Sequence, residues 1–571
     1  MSTPISPPGG PWTSPHGDPG IAAIPRTRLV LLVVLVAVVW FGSLDLRHLL
    51  SSDEGRYAQI AKEMWLSGDW VTPRYNDVKY FEKPPLHMWV TALAYTVFGV
   101  GEWQARLCVA LFGVLGIAMT TLAARRWFGD RTALAAGLVL LASPNWNIGA
   151  HFNALDMSVS GALAAVLAAT LIAQHPQTGA AARRRWMWAA WAAMGVAVLT
   201  KGLIGLALPG LVLVVYTAWS RDFAVWRRLH IVSGTLVLLA TTVPWFWLVA
   251  QRNPEFLHFF FIHEHFQRYT STVHHRSGPI WYFVPQLLAG FLPWIALWPG
   301  MVAAAWRHRA DRGFQPVKLL AAWALSIFVF FSLSGSKLPG YILPVMPALA
   351  ILAALALERL SDRGWRVQLI VAAAFGTAMI GAAVVVGMRA PASLPRPEWR
   401  EYAPWVAAAG ATMIVGAAWA WAIQRRGARS ASLLVHALAM FVATVIVTVG
   451  HETFGRPASG ADLAPRIRAR LEPGMPLYGV RRLDHTLPFY LGRTLVLVDA
   501  PDELEFGLRQ EPQRWIPSLE LFEQRWADGP RALAVMSPAT HALLRQRGLT
   551  MHPVAADARR VVVANFPSRT P

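Results

Sequence analysis

Charged residues are scarce in this chain: Asp, Glu, Lys and Arg make up 15% of its 571 residues, while 55% are hydrophobic. With a mean hydropathy of +0.39, that balance excludes a soluble globular protein and implies a polytopic membrane protein. Cysteine is all but absent. The single Cys108 lies in an apolar run, which rules out a disulfide framework and a thiolate metal site within one chain. Acids are few as well, 32 against 52 lysines and arginines, leaving a formal net charge of +20. Such an excess would suit nucleic acid if it were gathered on one patch. Here the arginines stand in short clusters between apolar runs, the pattern that orients membrane proteins, and no nucleic-acid partner is expected.

What is present is a succession of apolar runs. Residues 1–25, rich in Pro, Gly and Ser without periodicity, read as a disordered tail, and Arg26 and Arg28 open a first, uncleaved span over 29–44. Further runs cover 102–126, 132–146, 154–173, 187–200, 203–220, 231–251, 283–305, 318–333, 341–358, 367–387, 404–424 and 432–450, roughly thirteen spans in all. With the N-terminus inside, the clusters that include Arg125, Arg183, Arg221, Arg307, Arg359 and Arg425 all fall on the cytoplasmic side. This parity requires that residues 86–100, too short to cross, form a juxtamembrane or re-entrant helix on the outer face. The expected fold class is therefore an all-α polytopic membrane protein over 26–451, with an external loop over 46–101, followed by a small external α/β domain over 452–571. In that domain 494–498, 532–536 and 560–564 read as strands, and 518–526 and 539–547 as helices.

The same parity gathers the unusual polar residues outside: 53–85, the segment ending at Asp156, 200–202, 252–278 and 334–341. Residues 53–85, DEGRYAQIAKEMWLSGDWVTPRYNDVKYFEKPP, collect acids, bases and tyrosines between apolar segments, and Pro84 and Pro85 stiffen the return. They read as an active-site loop, with a solvated headgroup anchor as the plainer alternative. The chain takes arginine for nearly all its cations; its only lysines are Lys62, Lys79, Lys83, Lys201, Lys318 and Lys337. Lys83, Lys201 and Lys337 stand beside Pro or Gly in the external segments, where a compact ammonium can meet a phosphate.

No nucleotide-binding motif is found, so an external site needs a substrate already activated and already across the membrane; a sugar carried on a polyprenyl phosphate fits. Its transfer needs cations for the departing lipid phosphate and a carboxylate to orient or deprotonate the attacking oxygen. Lys83, Arg56, Lys201, Arg268 and Lys337 are the candidate cations, and Asp53 and Asp156 the candidate carboxylates, with Tyr57, Tyr80 and Glu82 close by in the loop. Asp156, near a helix start, could instead be a cap. His263 and His265, with Glu82, are candidate zinc ligands, although an i, i+2 pair diverges on a helix. A polyprenyl-lipid flippase would use similar cations, but it usually shows repeated halves, and none is visible.

The order DEGRYA, FEKPPL, FNALDM, LTKG and GSKLPGYILP resembles the bacterial lipid-linked glycosyltransferases of the GT-C fold. It is most similar to the family that transfers 4-amino-4-deoxy-L-arabinose to lipid A, relatives of the protein O-mannosyltransferases. The resemblance implies a multi-pass inner-membrane enzyme with its site on the periplasmic face. It takes the sugar from undecaprenyl phosphate with inversion at the anomeric carbon, uses lipid A as acceptor and confers resistance to cationic peptides such as polymyxin. It also implies Asp53 as the essential carboxylate, Asp156 as its counterpart on the later span, and Lys83 and Tyr341 at the carrier phosphate. No cofactor is required on this reading, zinc being the one candidate, and a monomer is expected. Transfer of another polyprenyl-linked sugar to protein Ser or Thr, or to another envelope glycolipid, is the alternative; Pro85, Leu86 and His87 after FEKP are shared with broader relatives.

Overall fold

Helices account for nearly all of the apolar sequence. The computed structural model describes residues 26–267, 278–307, 313–389 and 398–567; the tail over 1–25 lies outside the described residues. Each of the thirteen apolar runs falls on helix, from Arg26–Gly42 to Arg429–Gly450. Among the described residues, eight helices are long and apolar enough to cross a membrane on their own. A ninth span results if Phe283–Gly290 and Trp294–Trp306, bent by 105°, count as one. The chain is a multi-pass membrane protein. Helix Leu86–Phe98 has 13 residues, a rise of about 20 Å against a hydrocarbon thickness of about 30 Å, so its length suits the juxtamembrane or re-entrant reading.

Two compact units divide the chain. One comprises Met1–Ser43, Val109–Trp247 and Phe261–Gly450, the other Leu44–Cys108, Leu248–Phe260 and His451–Pro571. In the first, helices approach through small residues. A Cβ added at Gly376 or at Gly410 would lie 2.5 Å from the carbonyl oxygen of the other, the close backbone approach that helix pairs in lipid exploit. Helix Leu155–Gln174 is buried over most of its length, as its apolar character on all sides requires.

The second unit carries the strands. A hairpin, β1 (Arg74–Tyr75) and β2 (Val78–Lys79), turns at Asn76 and Asp77, both at positive φ (54° and 62°), the geometry of a two-residue type I′ turn. The mixed sheet follows: β3 (Leu477–Val480), β4 (Val496–Val498), β5 (Trp515–Ile516), β6 (Leu533–Met536), β7 (His552–Ala556) and β8 (Val561–Ala564), in the order β5-β4-β3-β6-β8-β7. The first four pair in parallel, and β8 pairs antiparallel with β6 and β7. Leu477, Leu533, Val535 and Val562 pack with Ile467 and Leu487, while Tyr478, Ala534, Met536 and Val563 pack with Phe522, Trp526 and Leu544. Both faces are covered, which is why the strands read as continuous apolar runs. The three expected strands appear, as do helices Leu519–Asp528 and Pro538–Gln546. The sequence reading missed β3, which a glycine interrupts, β5, only two residues long, and β7, which contains Pro553.

Candidate functional site

Helix Asp53–Ser67 positions the loop residues. Its first turn carries Asp53 and Glu54, where carboxylates favour the positive end of the helix. It stops at Gly68, whose φ of 69° suits the left-handed cap closed by an N–H bond to Met64 O. Gly55 lets this turn approach the chain at His485 and Thr486: an added Cβ would lie 2.6 Å from Thr486 Cγ2 and closer still to the His485 carbonyl. Farther along the helix, Glu63 accepts from the turn amides of Asn76 (2.9 Å) and Asp77 (2.8 Å). Asn76 in turn bonds both the carbonyl (2.6 Å) and the amide (2.7 Å) of Leu495, pinning the hairpin beside β4.

The adjacent carboxylates at the start of this helix have different surroundings. Glu54 is buried between Arg47, at 2.9 and 3.0 Å, and Arg106, at 2.8 and 3.2 Å. Burial alone would raise its pKa, but the two guanidinium groups outweigh it and hold the carboxyl well below the usual range. Asp53 is 38% exposed and meets Nη1 of Arg56 at 2.9 Å. Arg56 is itself enclosed, 7% exposed, and its Nε and Nη2 reach the two oxygens of Glu503 at 2.7 and 2.6 Å. His485 Nδ1 lies 2.7 Å from Tyr75 Oη and 3.7 Å from Glu503. The Arg56 guanidinium lies 5.8 Å from the ring centre of Tyr57, which packs on His87, and Tyr80 donates to Glu82 at 3.4 Å. Lys83 Nζ donates to the Glu82 carbonyl at 2.7 Å. The structure thus brings Asp53, Arg56, Tyr57, Tyr80, Glu82 and Lys83 into one unit.

Asp156, Lys201, Lys337 and Tyr341 belong to the other. Helix Leu155–Gln174 has Ala154 at its cap position with no side-chain cap. Asp156 is therefore not the cap; it forms an ion pair with Lys201, both under one-fifth exposed. The Lys201 ammonium also lies 4.6 Å from the centre of the Tyr341 ring, a cation–π distance. Gly340 leaves room for the carboxylate, since a Cβ there would come within 2.7 Å of Asp156 Cγ. Lys337 is buried and donates to Ser334 O at 2.5 Å. Arg268 and the side chains of His263 and His265 lie outside the described residues, and among the described residues no group of three metal-ligating side chains gathers. Glu503, His485 and Tyr75 went unnoticed in the sequence; no local motif marks them, and only the fold brings positions more than 400 residues apart together.

Comparison with known proteins places the chain in a family. Residues 463–565 match the aminoarabinose transferase C-terminal domain family, and residues 82–247 the dolichyl-phosphate-mannose-protein mannosyltransferase family. The undecaprenyl phosphate-alpha-4-amino-4-deoxy-L-arabinose arabinosyl transferase of Erwinia tasmaniensis is 33% identical over 64% of this chain and 66% of its own length. The protein of that name from Shewanella sediminis is 32% identical over 66% and 68%. The crystal structure of ArnT from Cupriavidus metallidurans bound to undecaprenyl phosphate is 55% identical, covers 95% of this chain and 98% of that one, and superposes with a TM-score of 0.90. The chain belongs to this arabinosyl transferase family. Its fold is the family's all-α GT-C architecture with a small C-terminal α/β domain. The aligned portion spans just under two thirds of the first curated relatives, 64 to 66% of their length.

Proposed function

We propose that the protein is an inverting glycosyltransferase that moves 4-amino-4-deoxy-L-arabinose from undecaprenyl phosphate to a lipid A phosphate at the periplasmic face of the inner membrane. The observation that carries this reading is the likeness, along nearly the whole chain, to ArnT solved with undecaprenyl phosphate. In the transfer, an oxygen of the acceptor phosphate forms a bond to the anomeric carbon as the bond from that carbon to the carrier phosphate breaks. The carrier phosphate leaves with the electron pair, and cations offset the charge that develops on it. Lys83, Lys201 and Lys337 are the candidate cations for that charge. The attacking phosphate oxygen is already anionic near neutral pH, so no strong base is needed, and Asp53 serves to orient the substrate's cationic or hydroxyl groups. Asp156 is the second carboxylate, holding Lys201 beside Tyr341. No step runs through a metal.

Mass spectrometry of lipid A from cells with the protein, without it, and with Asp53→Asn tests this. The expected result is loss of one aminopentose mass from lipid A in both deficient strains. Lipid A identical in all three strains overturns the acceptor, and the same comparison on envelope glycoproteins then tests the Ser or Thr alternative that the match to mannosyltransferases supports.

A further inference from the structure

Arg56 is committed before any substrate arrives. Its Nε and Nη2 form a two-point fork with Glu503 at 2.7 and 2.6 Å, and its remaining Nη1 meets Asp53 at 2.9 Å. A guanidinium held this way is a strut rather than a free anion receptor, because its planar donor set is divided between two carboxylates. Glu503 lies in the turn Asp502–Leu504 that follows β4, and β4 is pinned to the loop hairpin through Asn76 and Leu495. The carboxylate is thus anchored by the sheet and reaches the loop from outside it.

We propose that Glu503 is a positioning residue for transfer: by fixing Arg56 it sets the orientation of the Asp53 carboxylate toward the substrate. This rests on the transferase reading above. Fixing one carboxylate through a buried arginine keeps Asp53 oriented while leaving it partly exposed, as an orienting group must be. The charged and titratable groups around the strut are Asp53, Tyr57, Tyr80 and Glu503 at Arg56; Glu82, Asp502 and His485 at Glu503; and Tyr75, Asp484, Asp502 and Asp53 at His485. Glu503 therefore shares its surroundings with Glu82, Asp502 and His485, and removing its charge alters the strut and its pH response together.

The test uses the full-length enzyme with undecaprenyl-phosphate-linked aminoarabinose and lipid A, kinetics being normalised to folded protein. Glu503→Gln is expected to lower kcat about 10- to 100-fold, the scale of a misplaced reacting group, with the donor KM changed less than about threefold and the pH profile altered. Glu503→Asp, which keeps the charge, restores part of the rate. If Glu503→Gln does not fold, Glu503→Asp carries the test, because its shorter reach should still lower kcat and shift the pH profile. A wild-type kcat and pH profile per folded molecule, in Glu503→Gln or, failing that, in Glu503→Asp, overturns the inference. Asp53→Asn is the control: if it is inactive while the Glu503 variants are normal, the transferase reading stands and only Glu503's role falls. Full activity in Asp53→Asn removes both.

Discussion

Asp53 and Glu54 are consecutive carboxylates on one helical turn, yet they serve opposite ends. Glu54 is closed off between Arg47 and Arg106, the latter also donating to the carbonyls of Leu44, Arg47 and His48, whereas Asp53 keeps an open edge beside Arg56. A buried pair supports a fold chiefly because breaking it leaves a stranded charge; an orienting carboxylate has to stay reachable. Proximity in sequence therefore says little about role, and burial separates the two. The sharpest way to break this contrast is Glu54→Ala, which leaves Arg47 and Arg106 buried without their carboxylate. A loss of about 3–5 kcal/mol is expected, read as absent folded protein or a collapsed thermal transition in detergent. An unchanged transition would mean that the arginine knot is not structural.

Asp53→Asn should do the reverse. Its thermal transition is expected to stay within about 1 kcal/mol of wild type, as for an exposed ion pair, while turnover falls by about 100-fold or more. If stability falls and turnover per folded molecule does not, the two carboxylates have been assigned the wrong way round. The pair in the other unit extends the comparison, since Asp156 and Lys201 are both more enclosed than Asp53. Lys201→Met is expected to slow transfer at least tenfold, a loss of about 1.4 kcal/mol or more in transition-state stabilisation. Lys201→Arg should not restore it, because a planar fork does not reproduce a compact ammonium over the Tyr341 ring. Transfer assays on purified variants decide this.

Much of this was legible beforehand because membrane chains write their spans as long apolar runs and their orientation as arginine clusters. Lys83, Lys201 and Lys337 stood out because lysine is rare here, and Asp53 and Asp156 because they are carboxylates at the margins of apolar runs. Glu503 could not be found in that way: in DAPDELE it is one acid among four, and nothing local tells it from Asp502 or Glu505. Its partner Arg56 lies across a fold in which β3, broken by Gly479, and the two-residue β5 gave no periodic signal. The possibility that Asp156 caps its helix failed for a related reason, since sequence places an acid near a helix start but cannot say whether a lysine 45 residues on will claim it.

The smallest effect concerns pH and contrasts Glu503 with Glu54 directly. Burial pushes Glu503 up to about 7, with Arg56 opposing and Glu82 and Asp502 adding to the rise; burial likewise pushes Glu63 up to about 8 against its hydrogen bonds. A carboxyl with a raised folded pKa binds its proton more readily in the native state than in the unfolded one, so stability is greatest at acid pH and falls as pH rises from the unfolded pKa to the folded pKa. For Glu503 that window runs from 4.5 to about 7, and the loss between pH 6 and 7 is about 1 kcal/mol. Glu54, whose pKa is lowered, should contribute no slope there, because it is ionised in both states across that interval. Glu503→Gln should flatten the fall in stability between pH 6 and 7 by about 1 kcal/mol, leaving the slope due to Glu63. An equal slope in wild type and variant, measured by thermal unfolding across that interval, would mean that Arg56 keeps Glu503 ionised throughout, and that the fork on Arg56 is as permanent as the knot around Glu54.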